Sequence, residues 1–346
     1  MPKIHILSQY IWPDGGPDGI LAEQLALRLQ ENFVEVQLVG GSGTYRVSGR
    51  PKPDLPILHL DHFRGRRGNL VETVAQYRAV ARAFRDYIGK SVREGDVVIV
   101  TSAPPTTVSL AISIKRRSAH AIYWMQDYYP ELARAIYDYP RFLRAALGGY
   151  WDHHLSRWDR VVKSAANLGR SLSNEIVIRN WPTLDFTDRP QPEPRTALYS
   201  GNLGRAHDVD LFVRQCEQLR DAGYKIDIYA DGCGVAQLPV WLAPKPLQPN
   251  PEKLRQDLVG HEIHLIAAHP KIQRAIFPSK IWNSIALGRQ LICTGFAGAI
   301  ATELEEARRA PFASHLEQWT KLLLDLVQSH PVVVRPAAGV AALQPA

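Results

Sequence analysis

Long apolar runs are missing from this chain of 346 residues. No segment approaches the roughly 18–20 apolar residues that a bilayer-spanning helix needs. Cysteine is scarce as well: Cys216, Cys233 and Cys293 are too widely spaced for a disulfide framework or a zinc cluster. A reducing, cytoplasmic setting is the expectation. The amino-terminal MPKIHILSQY lacks the apolar core of a secretory signal and reads as the start of a strand. His153 and His154 have no further ligand at metal-binding spacing and read as structural. What is present is ordinary for a globular protein, with 45% hydrophobic and 22% charged residues, and the length suits two domains. Charge is uneven. Residues 1–181 carry 24 Lys and Arg against 17 Asp and Glu, whereas residues 182–346 carry 17 of each, so the whole excess of +7 lies in the first half. An anionic partner for that half is implied, nucleic acid or an anionic membrane surface.

Strand-like and helix-like patterns alternate. KIHILS, VEVQLVG, DVVIVTS, AIYWMQ, RVVKSA and EIVIRNW have strand length and β-branched content. Helical patterns over Asp18–Glu31, Val71–Lys90, Pro105–Arg117 and Arg141–Arg157 lie between several of them. This predicts βαβ units, hence an α/β fold with a parallel sheet. WPTLDFTDRPQPEPR (181–195), with four prolines, reads as a stiff linker. Alternation then resumes through TALYSG, a helix over 209–222, KIDIYAD, a helix over 251–259, IHLIAAH, a helix over 279–287 and RQLICTG. Two doubly wound domains follow, 1–181 and 196–346, joined by 182–195, with a ligand expected in the cleft at the carboxyl ends of their strands.

The first βα turn, SQYIWPDGGPDG, contains Gly15 and Gly16, which let backbone approach a ligand, and the helix start behind them favours an anion. It has neither the G-x-G-x-x-G fingerprint nor a P-loop lysine, and a plain loop with an Asp cap is the alternative. In YSGNLGRAHD (199–208), Gly201 and Gly204 flank Asn202, with Arg205 close behind, a pattern suited to phosphate or to simple helix–strand packing. In IFPSKIWNSIALGRQLICTG (276–295), Ser279 is positioned to cap a helix whose free N–H groups, with Lys280, would stabilise a diphosphate leaving group. Asp127 ends a strand in YWMQDYYPELA, placed either to bind hydroxyls and exchange a proton or merely to cap the next helix. Arg78, Arg82 and Arg85 share one face of the helix over 71–90. With Arg46, Arg50, Lys52, Arg64, Arg66 and Arg67, and with the Arg–aromatic mixture YPRFLRAALGGYW, they favour contact with an anionic membrane. No nucleic-acid-binding motif accompanies them.

Taken in order, ILSQYIWPDGG, WMQDYYP, VIRNWPTLDF, YSGNLGRAHD and FPSKIWNSIALGRQLICTG resemble the family 4 glycosyltransferases of GT-B fold. The likeness is strongest to bacterial transferases of colanic-acid, O-antigen and exopolysaccharide assembly. The resemblance implies two Rossmann-like domains facing across a cleft. A UDP- or GDP-sugar would lie on the second and a lipid-linked or polysaccharide acceptor on the first, with retaining transfer and no metal or other cofactor. It also implies a peripheral position on the inner face of the cytoplasmic membrane. The family's two glutamates, eight residues apart, fall here at Ala275 and Asn283, and its diphosphate-gripping Arg and Lys fall at Asn202 and His207. The resemblance therefore assigns the diphosphate to Lys280 and Arg205, the ribose to Asn283, closure over the diphosphate to Gly15 and Gly16, and acceptor or sugar hydroxyls to Asp127. The missing acids leave open a catalytically silent subunit that binds a sugar nucleotide or a partner transferase.

Overall fold

The computed structural model describes residues 2–33, 35–41, 49–65, 69–136, 140–247 and 250–327. Arg46, Arg66 and Arg67 therefore lie outside the described residues. Strands β1 (Ile4–Ser8), β2 (Val36–Gly41), β3 (Ile57–Leu60), β4 (Val97–Thr101), β5 (His120–Met125), β6 (Arg160–Lys163) and β7 (Glu175–Val177) form one sheet, in the order β3-β2-β1-β4-β5-β6-β7. Every neighbouring pair is parallel. Such a sheet must be covered on both faces, which is why β4 reads VVIVT without polar alternation. Successive side chains point to opposite faces. Val98 and Val100 meet α2 (Leu70–Ser91), α3 (Ala111–Lys115) and α5 (Arg141–Leu155), and Val97 and Ile99 meet α1 (Pro17–Gln30). A short helix α4 (Tyr129–Ile136) follows β5.

The second sheet, β8 (Glu193–Asn202), β9 (Lys225–Asp231), β10 (His261–Ala267) and β11 (Gln290–Thr294), is parallel in the order β11-β10-β8-β9. Around it run α6 (Val209–Asp221), α7 (Pro251–Gly260), α8 (Lys280–Ala286) and α9 (Gly298–Arg309), and α10 (Ala313–Val327) ends the described chain. The alternation expected from the sequence is present in both halves.

Several expectations shift. The helix expected over 105–117 is a 3₁₀ turn, Pro105–Leu110, followed by α3. Thr107 Oγ1 donates back to the carbonyls of Pro104 (2.8 Å) and Thr101 (2.9 Å), which tightens that stretch. β3 arises in a stretch to which the sequence reading assigns no strand, and the linker ends earlier because Glu193 already belongs to β8. α10, which the sequence reading assigns to the second domain, packs on the first. Trp319, Leu322 and Leu323 cover the face carrying Ile122, Trp124 and Val162, with the rings of Trp319 and Trp124 5.0 Å apart. Without α10 that apolar face would meet water. The halves also share apolar packing, since Phe277, Ile281, Trp282, Ile300 and Leu304 continue the core beneath α2 and α5. Arg179 adds a bidentate pair to the buried Glu303 (2.6 and 3.1 Å) and a bond to Glu306 (2.6 Å). Among the described residues no helix is long and apolar enough to cross a membrane.

Candidate active site

Lys280 opens α8, and its side chain turns toward the end of β8. The ammonium is buried 4.2 Å from the centre of the Tyr199 ring and has no hydrogen-bond partner among the described residues. Burial pushes its pKa down to about 8. A Cβ at position 201 would collide with Nζ, so Gly201 is the residue that leaves room for the cation. Tyr199 is held in turn by its hydroxyl, which donates to the carbonyl of Asn202 (2.9 Å). His207 accepts the Gly204 N–H at Nδ1 (3.0 Å), and burial followed by the charge of Lys280 keeps its pKa near 4. It is therefore neutral at pH 7, and Lys280 is the cation at the floor of this turn.

The turn is braced by residues that sequence reading passed over. Leu203 N–H donates to Asp231 O (2.6 Å) and Gly234 N–H to Leu203 O (2.8 Å). Gly232, at φ +106°, passes so close to Asn202 Oδ1 and the Leu203 carbonyl that a side chain would not fit. The clue was available in DGCG at the end of β9. Arg205 is exposed on the turn and makes no hydrogen bond or ion pair among the described residues.

Two expectations in the opposite stretch are corrected. Ser279 has helical backbone angles and no side-chain cap bond, and the amides of Ile281 and Trp282 already donate to Pro278 O (3.1 Å) and Ser279 O (3.3 Å). The free first-turn donors expected around Ser279 are thus fewer. Asn283 is buried, and both ends of its amide are committed to the linker. Oδ1 accepts from the backbone N–H of Thr183 (2.9 Å) and Leu184 (3.4 Å), and Nδ2 donates to Thr183 Oγ1 (3.2 Å). Oδ1 is saturated by those partners, and only one Nδ2 hydrogen of this buried side chain is left for a ribose.

The other wall is acidic. Asp127 sits just past β5, where Ser102 Oγ accepts the N–H groups of Gln126 (3.0 Å) and Asp127 (3.2 Å). Burial, then the charge of Asp18, pushes Asp127 up to about 7; burial, then Asp14, pushes Asp18 in the first turn of α1 up to about 6. The Gly15–Gly16 loop is held still by Arg50, which binds Glu23 (2.9 Å) and the Asp14 carbonyl (2.6 Å). Gly16 N–H already donates to Asp14 Oδ1 (2.6 Å). An anion is disfavoured beside Asp14, Asp18 and Asp127, so the diphosphate contact expected of Gly15 and Gly16 gives way to a wall suited to hydroxyls.

Asp127 pairs with Ile276 in an isolated antiparallel bridge, and Ile276 lies four residues before Lys280. The contact between the two halves thus ties the acidic wall to the segment that leads into the buried cation. No protein-family model matches the sequence, and no curated protein matches it. Solved structures do. One is S. aureus TarM, crystallised with UDP, fondaparinux and α-GlcNAc-glycerol, with TM-score 0.60, 9% identity, and 93% of this chain and 100% of that one covered. Others are the catalytic domain of Arabidopsis thaliana starch synthase IV bound to ADP and acarbose (0.56, 12%, 95% and 99%) and trehalose-6-phosphate synthase of Burkholderia multivorans (0.56, 10%, 95% and 99%). The fold is GT-B. At such identities the likeness is one of fold, and the chemistry has to be argued from this chain's own residues.

Proposed function

We propose that the protein is a glycosyltransferase. It moves one sugar from a UDP- or GDP-sugar to a lipid-linked or polysaccharide acceptor in bacterial cell-surface glycan assembly, with retention and without a metal. The carrying observation is the ammonium of Lys280, buried between Gly201 and the Tyr199 ring without a hydrogen-bond partner among the described residues. A buried charge of this kind is costly unless an anion joins it, and a diphosphate supplies one whose charge grows as it leaves. In the proposed step the bond between the anomeric carbon and the diphosphate oxygen breaks, and the acceptor hydroxyl bonds to that carbon from the same face. Its proton passes to the departing diphosphate. Lys280 stabilises that charge, with Arg205 reaching it from the exposed turn. Gly201, Asn202, Gly204 and the Ser279 segment shape the donor side, and Asp127, with a pKa near 7, exchanges hydrogen bonds with sugar or acceptor hydroxyls.

On this reading residues 1–181 receive the acceptor and residues 196–346 the donor. A membrane partner is supported by Arg78, Arg82 and Arg85, all exposed on α2. It is also supported by Val71 (79% exposed) and Leu70 near the start of α2, and Phe142 (70%) and Leu143 near the start of α5. Both helices lead into strands of a parallel sheet, so both begin at its carboxyl edge, where the cleft lies. The location that follows is cytoplasmic and peripheral to the inner membrane face. The commitment of Asn283 to the linker favours a second reading, a catalytically silent subunit that binds the nucleotide.

Calorimetry with UDP, GDP and their monophosphates on the wild type and Lys280→Ala tests the site. The diphosphate should bind more tightly than the monophosphate by about 1.5–3 kcal/mol, the scale of a hydrogen bond to a charged group, and Lys280→Ala should erase that advantage. Equal binding of mono- and diphosphate by the wild type would remove Lys280 from the proposal. Transfer assays with UDP- and GDP-sugars then separate the enzyme from the silent subunit.

A further inference from the structure

Between the phosphate-facing turn and Lys280 runs the segment 269–276, and its backbone is held by the other half of the molecule. Four successive carbonyls are each met by a donor from the first half. Asn167 Nδ2 donates to Gln273 O (2.7 Å) and to Ile276 O (3.0 Å), Gly169 N–H to Arg274 O (2.8 Å), and Tyr128 N–H to Ala275 O (2.7 Å). At its other end His269 N–H donates to Ala206 O (2.8 Å), within the Gly201–His207 turn. Ile272 and Ala275 are buried against Leu132 and Ala135 of α4 and Ala206 of the turn. The segment therefore touches both proposed sides at once.

We propose that Asn167 is a positioning residue for sugar transfer, its amide fixing the segment that carries Lys280 in register with Asp127. The inference rests on the reading of those two residues as donor and acceptor sides. Three observations carry it. Asn167 is 5% exposed and projects from the loop after β6, the strand beside β5 and hence beside Asp127. An amide nitrogen has two hydrogens, and here each has a carbonyl; serine or alanine could not hold both. The arrangement leaves Asn167 Oδ1 buried without a partner among the described residues, a cost that an apolar residue would avoid. The tether is also short: Ile276 precedes Lys280 by four residues, at most about 14 Å of extended chain. Phe277 and Ile281 bury either end of it, and Pro278 lies between. Loosening the carbonyls of Gln273 and Ile276 would let the cation drift against Asp127 without altering the donor pocket in the second half.

The test uses the full chain with Asn167→Asp, which keeps the shape but turns an acceptor toward two carbonyls, and Asn167→Ala. Amide hydrogen exchange reads the clasp directly, because the Tyr128 and Gly169 amides belong to it. Both variants should exchange at least about tenfold faster there, with β1 unchanged. UDP or GDP affinity should stay within about twofold of wild type while kcat for transfer falls about tenfold to a hundredfold at nearly constant donor KM, as expected for misalignment of bound groups. Unchanged exchange at Tyr128 and Gly169 would overturn the clasp, and wild-type kcat despite faster exchange would overturn the positioning role. Parallel loss of nucleotide affinity, melting temperature and β1 protection would make Asn167 a purely structural residue and defeat the inference. A wild type that binds neither UDP nor GDP would sink the transferase reading instead, and the exchange arm would still judge the clasp.

Discussion

At the residue scale, Lys280 is the group whose environment and proposed work conflict. Its pKa falls from 10.5 to about 8 on burial, so in the free protein the charge is present at pH 7 and largely gone at pH 9. If the ammonium binds the diphosphate, UDP or GDP affinity should fall as pH rises through about 8, and Lys280→Met should show weak binding with no such dependence. Stability runs the other way. Between about 8 and 10.5 the unfolded chain keeps the proton that the folded chain has lost, so the unliganded wild type should gain stability with rising pH in that window. Lys280→Met should lack that gain and be more stable at pH 7 by about 1–2 kcal/mol, the common exchange of function for stability at a strained site. Calorimetry and denaturant melts at pH 7, 8 and 9 check both. A wild-type affinity flat across that range would mean another group holds the phosphates.

At the scale of elements, α8 serves two purposes. Its first residue supplies the cation, and Asn283, one turn on, holds the linker at Thr183 and Leu184. Replacing that acceptor should loosen the connection between the halves rather than the nucleotide site. Asn283→Leu is expected to cost about 1–3 kcal/mol, since it strands the Thr183 N–H, whereas Asn283→Asp keeps the acceptor and should cost less than about 1 kcal/mol. Urea midpoints read this, with UDP and GDP affinity unchanged in both variants. Should Asn283→Leu bind nucleotide poorly at full stability, the ribose contact implied by the family resemblance would be restored.

For the molecule as a whole, the exposed Arg78, Arg82 and Arg85 and the exposed apolar residues at the starts of α2 and α5 belong to helices that cover the same face of the first sheet. Counter-charging Arg78, Arg82 and Arg85 to Glu should weaken binding to anionic vesicles by at least about 1 kcal/mol per residue. The effect should shrink at high salt, because exposed charges are screened over about 8–10 Å at ordinary ionic strength. Soluble nucleotide binding should not change. Co-sedimentation with phosphatidylserine vesicles measures it, and equal binding by the triple variant and the wild type would rule out this face as the membrane contact.

Local pattern was enough for much of this architecture. A stretch such as VVIVT is β-branched throughout because its strand is buried on both faces, and that composition can be recognised without knowing what covers it. Gly201 and Lys280 were likewise visible, because tight turns and helix starts use few residue types. The roles of Asn283, Asn167 and Ser279 were not. For the two asparagines the role depends on which backbone groups come within about 3 Å from far along the chain, Thr183 for Asn283 and Gln273 and Ile276 for Asn167, and for Ser279 on the backbone angles it adopts. The shared acidity of Asp18 and Asp127 is of the same kind, since residues more than a hundred positions apart meet only when β1 and β5 lie in one sheet. So is the placement of α10, whose amphipathic pattern says that it must cover something apolar but not which sheet. Periodicity and turn chemistry are properties of neighbouring residues, whereas partnership across the cleft is set by how the two halves pack.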